Sequence, residues 1–128
     1  MKIRFLGVLA LLLATALPVS AADLVGRWTA EFDTPVGVQK YVYVFKKSGD
    51  ALTGEATYDY SMGKGTVPLK DVKVDGDKVT FSESQPFDGG ELLITYAGTL
   101  AGDEIKFTRV VGDFGTNELT AKRVAVTE

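Results

Sequence analysis

The sequence predicts an all-β chain, an eight-stranded antiparallel up-and-down β-barrel, on three observations. Apolar and polar residues alternate with period two through eight successive stretches. A Gly-Asp turn recurs in Ser48-Gly49-Asp50, Asp75-Gly76-Asp77 and Ala101-Gly102-Asp103, at spacings of 27 and 26 residues. No stretch after the first 21 residues has a helical period. A two-sheet β-sandwich built from the same strands is the alternative architecture.

The chain opens on a leader. Lys2 and Arg4 precede a nearly unbroken apolar run from Phe5 to Leu17, then Pro18, then the small residues of Val19-Ser20-Ala21. This is the pattern of a secretory signal peptide cleaved near Ala21. The run is 13 residues, short of the ~20 that a membrane-spanning helix needs. The expectation is residues 1–21 as signal peptide and 22–128 as one barrel domain, periplasmic or extracellular. Without cysteine, neither a lipid anchor on cysteine nor a disulfide is available, so packing alone must stabilise the fold. Removing Lys2 and Arg4 from 14 basic residues leaves 12 against 17 acidic ones, a net −5. That excess of negative charge, with no basic run, disfavours nucleic acid and anionic membrane surfaces as partners.

The strands follow in order. Gly26 to Phe32 carries the one tryptophan, Trp28. Val38 to Phe45 is β-branched and aromatic throughout. Leu52–Tyr60, Val67–Val74, Lys78–Gln85, Glu91–Leu100, Glu104–Val110 and Asn117–Val124 complete the set. The run Leu69-Lys70-Asp71-Val72 breaks the alternation and predicts a bulge. Because the Gly-Asp turns fall at every second connection, they share one end of the barrel, the floor. The other connections, around Pro35, Gly63, Gly89 and Asp113, are expected to be longer and to form an open mouth.

Alternation assigns the inward face. Counting up from the floor, Val79 and Ile105 come first, Phe81 and Phe107 next, then Glu83 and Arg109. Tyr41, Tyr58 and Tyr96 bring hydroxyls to the same mouth half. An ion inside a barrel must be paired or wet, and Glu83 and Arg109 stand at one height, where they can pair across the lumen. An eight-stranded barrel is just wide enough to be filled by side chains or to hold one small ligand. The heavy aromatic load favours filling, while Gly54, Ala56, Gly98 and Ala121 leave room. Both outcomes stay open at this point.

Gly26-x-Trp28 at the start of the first strand resembles the Gly-x-Trp signature of the calycins, the lipocalin and avidin group. The Gly-Asp turns and the ending Glu-Leu-Thr-Ala-Lys-Arg are similar to those of small lipocalin-like domains of bacterial exported proteins, most without an assigned activity. The resemblance covers essentially the whole chain after the leader. It implies that a basic residue of the last strand, Arg123 or with a slipped register Lys122, packs over Trp28. That makes Trp28 and Arg123 structural residues of the floor.

The chain has no histidine and no cysteine. This removes the histidine- and cysteine-based catalytic sets and the usual zinc and haem ligands. Asp75-Gly76-Asp77 is too short for a calcium loop, and no glycine motif cradles a phosphate. No cofactor and no metal are expected. Three readings of function follow. The first is a non-catalytic barrel that binds a small apolar or amphipathic molecule at its open end through Tyr41, Tyr58, Glu83, Tyr96 and Arg109. The second is a carbohydrate-active enzyme, or a carbohydrate-binding accessory domain, using mouth carboxylates such as Asp59, Asp88 and Asp113 with Glu83, and aromatics such as Tyr60, Phe87 and Phe114 that stack on sugar. The third is a filled barrel that binds another protein by its loops or outer face.

Overall fold

A computed structural model describes residues 21–124 apart from Val36 and Met62; the leader, residues 1–20, and residues 125–128 lie outside the described residues. The expected signal peptide, apart from Ala21, falls among those outside. One helical turn, α1 (Ala21–Leu24), precedes eight strands: β1 (Gly26–Thr34), β2 (Gly37–Ser48), β3 (Ala51–Tyr60), β4 (Gly63–Asp75), β5 (Lys78–Phe87), β6 (Gly90–Ala101), β7 (Glu104–Val111) and β8 (Gly115–Arg123). Each strand pairs antiparallel with its neighbour in sequence, and β8 returns to β1, closing the barrel. The predicted fold class is the observed one.

The floor turns are tight for the reason the sequence suggests. Gly49, Gly76 and Gly102 have φ of 62°, 63° and 63°, the positive value that a type II′ hairpin turn requires at its first central residue. The mouth turns are also tight, contrary to expectation. β1 and β2 register through Thr34↔Gly37, β3 and β4 through Tyr60↔Gly63, and β5 and β6 through Phe87↔Gly90. The residues read as irregular loop at Gly63-Lys64-Gly65 are instead the start of β4. Gly65 lies close against the Tyr58 side chain there, and a Cβ at 2.6 Å from its hydroxyl would make the tyrosine shift.

The bulge appears where alternation broke. Lys70 registers with Ser82 but Lys73 with Thr80, and Asp71 takes φ 53°. Two β4 residues thus face one on β5, the extra residue turning into the left-handed region that Asp tolerates better than most side chains.

Two of the eight seams are short. The β4–β5 ladder runs only from Lys70–Asp75 against Lys78–Ser82, and the β1–β8 ladder is Trp28↔Arg123 and Thr29↔Lys122. The β3–β4 ladder joins Gly54–Tyr60 to Gly63–Leu69, and the remaining five run nearly the whole length of the shorter strand. The short seams lie four strands apart, on opposite sides of the wall. The floor half is therefore a closed ring. Toward the mouth the β4–β5 and β8–β1 ladders stop, while β1–β4 and β5–β8 stay paired.

The floor is plugged by α1. Leu24 and Trp28 are fully buried, and the Trp28 indole N–H donates to the Leu24 carbonyl at 2.9 Å. Arg123 lies over the Trp28 ring at 4.3 Å. It also donates to the carbonyls of Val25 and Asp23 at 3.1 and 2.6 Å and to the Asp103 carboxylate at 3.0 Å. The guanidinium satisfies the carbonyls at the end of a helical turn and covers the tryptophan face. Lys122, one residue back, points outward and is exposed.

Candidate functional site

The four residues Tyr41 (β2), Glu83 (β5), Tyr96 (β6) and Arg109 (β7) converge in the mouth half. All are buried, Glu83 completely. The two ions are not in direct contact: among the described residues the one ion pair within 4.0 Å is Arg123 with Asp103. Two tyrosine hydroxyls stand between them. Arg109 donates through Nε to the Tyr96 hydroxyl at 2.9 Å and through Nη2 to the Tyr41 hydroxyl at 3.0 Å. Tyr96 in turn donates to Glu83 Oε1 at 2.6 Å, and Tyr41 to Glu83 Oε2 at 3.0 Å. Guanidinium, two phenols and carboxylate close a ring, with each phenol accepting from the cation and donating to the anion. The Glu83–Arg109 pairing expected from sequence is thus relayed rather than direct.

Further side chains extend the ring. Tyr43, fully buried, donates to the Tyr96 hydroxyl at 3.0 Å. Gln85 donates to Glu83 Oε2 at 2.7 Å, and Arg109 Nη1 donates to Asn117 Oδ1 at 2.8 Å. Arg109 also lies 5.2 Å from the ring centroids of both Phe32 and Tyr41. Tyr58 stands at the margin, half-buried, 6.2 Å from the Tyr41 ring. The network joins the two sheets of the mouth half, because Tyr41 and Tyr43 belong to one and Glu83, Tyr96 and Arg109 to the other. These bonds hold the halves together where the backbone ladders have stopped.

The electrostatics follow from burial. Removal from water raises the Tyr41, Tyr43 and Tyr96 phenols above their ordinary value, and for Tyr41 the Glu83 carboxylate adds to the rise. Burial acts to lower Arg109, but Tyr96 and Tyr41 outweigh it, helped by Glu83, and hold the guanidinium firmly charged. At neutral pH the phenols are neutral donors, as the ring requires.

Among the described residues the centre and floor of the barrel are filled by side chains. Trp28, Tyr43, Val79, Glu83, Ile105 and Ala121 have no surface that water can touch, from outside or from an internal void. The space that Gly54 and Gly98 leave is taken by neighbouring rings. A Cβ on Gly54 would meet Phe45 at 2.8 Å, and one on Gly98 would meet Phe107 at 2.5 Å. Aromatic contacts run without a break from Phe32 through Tyr41, Tyr43, Tyr96 and Phe81 to Phe45, with centroids 4.5–5.7 Å apart. One concavity on the outer wall is lined by Thr80, Ser82, Leu93, Thr95 and Val110.

The carboxylates named with Glu83 do not face it. Asp59, Asp88 and Asp113 are all exposed while Glu83 is sealed, whereas a glycosidase needs two carboxyl groups flanking one cleft. Among the described residues no group of three metal-binding side chains gathers. Sequence reasoning missed Gln39, Gln85 and Asn117, of which Gln39 is buried and the others half-buried. Their signal was a polar residue at an inward position of a strand, which alternation marks. Leu24 was missed because one turn of helix has no period to read.

All four large apolar side chains exposed among the described residues lie toward the mouth: Val38, Leu93, Val110 and Phe114. They sit on the arc β6–β7–β8–β1–β2. No family model matches the chain, and searches of curated proteins and of solved structures returned no match.

Proposed function

We propose that the protein is an exported, non-catalytic calycin-type barrel of bacterial origin that works as a protein-interaction module, docking a partner on the mouth-end rim. The observation that carries this reading is the sealed interior: a molecule recognised by this fold meets its outside, and the exposed apolar side chains gather on one arc of the rim. Leu93 and Val110 lie together on the outer wall, and apolar surface of this kind can mark a partner site. The lipocalin-like assignment is supported by the closed eight-stranded barrel and by Arg123 lying over Trp28 of Gly26-x-Trp28. The test is native mass spectrometry of the protein purified from its own host, beside the variant Leu93→Asp/Val110→Asp. The reading predicts a protein partner that is lost from the variant while its thermal midpoint stays unchanged. A small molecule retained one-to-one, with no protein partner, would contradict it.

A second reading is favoured by one specific observation. The buried Glu83 and Arg109 are set between two sheets that no ladder joins at the mouth. Replacing a buried ionic group with apolar side chains is often neutral or stabilising, so stability alone does not account for the pair. In this reading a small amphipathic molecule parts the halves and takes the network's hydrogen bonds, with Tyr41, Tyr58, Glu83, Tyr96 and Arg109 as its site.

A further inference from the structure

The outer wall of the barrel is not uniform in charge. Across β1–β4, Glu31, Lys40, Asp59 and Lys64 stand in one register row and alternate in sign. Opposite charges on facing strands stabilise such a row. No such row crosses the mouth half of β5–β8. There the exposed ionic side chains are Asp88, Glu91, Asp113 and Glu118, and every one is an acid. The bases of these four strands lie elsewhere. Lys78, Lys106, Lys122 and Arg123 stand toward the floor, and Arg109 is buried in its ring with Tyr41 and Tyr96. Among the described residues none of the four acids has a cation within 4.0 Å.

Apolar side chains stand among these acids. Leu93 and Val110 are exposed at outward positions, where β6 and β7 otherwise carry Glu, Thr, Ala or Lys. They line one concavity together with Thr95. The N–H of Gly112 donates to the Leu93 carbonyl at 3.0 Å. This brings the β7–β8 turn, with Asp113 and the exposed Phe114, up beside Leu93. Glu91 lies two residues from Leu93 on the same face of β6. Glu118 registers opposite Thr108, whose hydroxyl donates to its carboxylate at 3.2 Å. The mouth end of this wall is thus an apolar centre of Leu93, Val110 and Phe114 with a margin of Glu91, Asp113 and Glu118.

An apolar centre within a polar margin is the layout of a protein interface. The sign of the margin selects the sign of the partner. A cluster of acids with no exposed base repels anionic lipid and nucleic acid. We propose that the mouth end of β6–β8 docks a basic segment of a partner protein, with an apolar anchor against Leu93 and Val110 and Lys or Arg side chains meeting Glu91, Asp113 and Glu118. The segment lies on the closed wall and requires no opening of the barrel. This deepens the rim reading by naming the sector and the partner's charge, and it rests on that reading.

The test titrates isotope-labelled protein with the blocked peptide Lys-Lys-Leu-Phe-Lys-Lys, with an analogue carrying Glu for Lys, and with one carrying Ser for Leu and Phe. Amide shifts are read residue by residue. The first peptide is expected to bind saturably, more weakly as salt rises, with shifts at Leu93, Thr95, Val110, Asp113 and Phe114. The Glu analogue is expected not to bind, and the Ser analogue to bind about tenfold more weakly or worse. The variant Glu91→Lys/Asp113→Lys/Glu118→Lys weakens binding of the first peptide about tenfold or more, with the thermal midpoint held. Equal binding of either analogue, unchanged affinity in the triple variant, shifts elsewhere on the barrel, or no binding overturns the proposal. Shifts at these residues with phosphatidylglycerol vesicles also overturn it, because the surface would then be one for lipid. A host partner lost from Leu93→Asp/Val110→Asp but kept in full by the triple variant overturns the charge inference and leaves the rim reading standing. The first peptide bound as stated, with no host partner, does the reverse.

Discussion

At the residue scale, the ring of Arg109, Tyr41, Tyr96 and Glu83 is a closed set in which each member satisfies another. Arg109→Met leaves a buried carboxylate without its cation, and a broken buried pair costs about 3–5 kcal/mol. Glu83→Gln with Arg109→Met removes both charges together. Urea denaturation of the two single variants and the double is expected to show the double losing clearly less than the sum of the singles; strict additivity would mean the ions do not sense each other. Alternation alone marks Glu83 and Arg109 as inward and level with each other. It does not reveal that a phenol stands on each path between them. That depends on how far Tyr41 and Tyr96 reach across the lumen, a matter of side-chain length and strand tilt rather than of period. Arg123 over Trp28 was legible from the Gly-x-Trp resemblance, but its bonds to the Val25 and Asp23 carbonyls were not, because they depend on α1.

At the element scale, the β4 bulge was legible because a missed alternation in Leu69-Lys70-Asp71-Val72 leaves one explanation in a strand. Asp71 sits at φ 53°, which a β-branched residue accommodates poorly. Asp71→Val is expected to cost about 1–3 kcal/mol and Asp71→Asn almost nothing, as thermal or chemical denaturation would measure. Equal effects would show that the carboxylate, not the backbone, matters there. The mouth turns were misread because glycine and proline mark loops by composition, while Gly63 and Gly65 in fact begin a strand that passes close under Tyr58. The short seams had no sequence signal at all. Period two reports which way side chains point, and it is silent on where a ladder between strands 1 and 8 ends.

At the scale of the whole molecule, three buried phenols couple stability to pH. Their folded-state values are raised above the unfolded value of ~10. Their contribution is therefore fully present below about pH 10 and is lost as pH rises toward the folded values, because the unfolded chain releases protons that the folded one keeps. The thermal midpoint is expected to hold from pH 7 to about 9.5 and then to fall steeply, with tyrosinate absorbance from Tyr41, Tyr43 and Tyr96 appearing only as the chain unfolds. Tyrosinate absorbance from all five tyrosines while the fold persists would show that the ring is open to solvent.

The same closed interior underlies the proposed function. It is tested most directly by a residue-resolved titration with 1-anilinonaphthalene-8-sulfonate, an amphipathic molecule with an acidic group. The sealed barrel predicts no saturable shift at the amides of Tyr41, Tyr43, Glu83, Tyr96 and Arg109. Saturable one-to-one shifts at these residues, weakened by Arg109→Lys, would contradict it and favour a barrel that opens to hold a ligand.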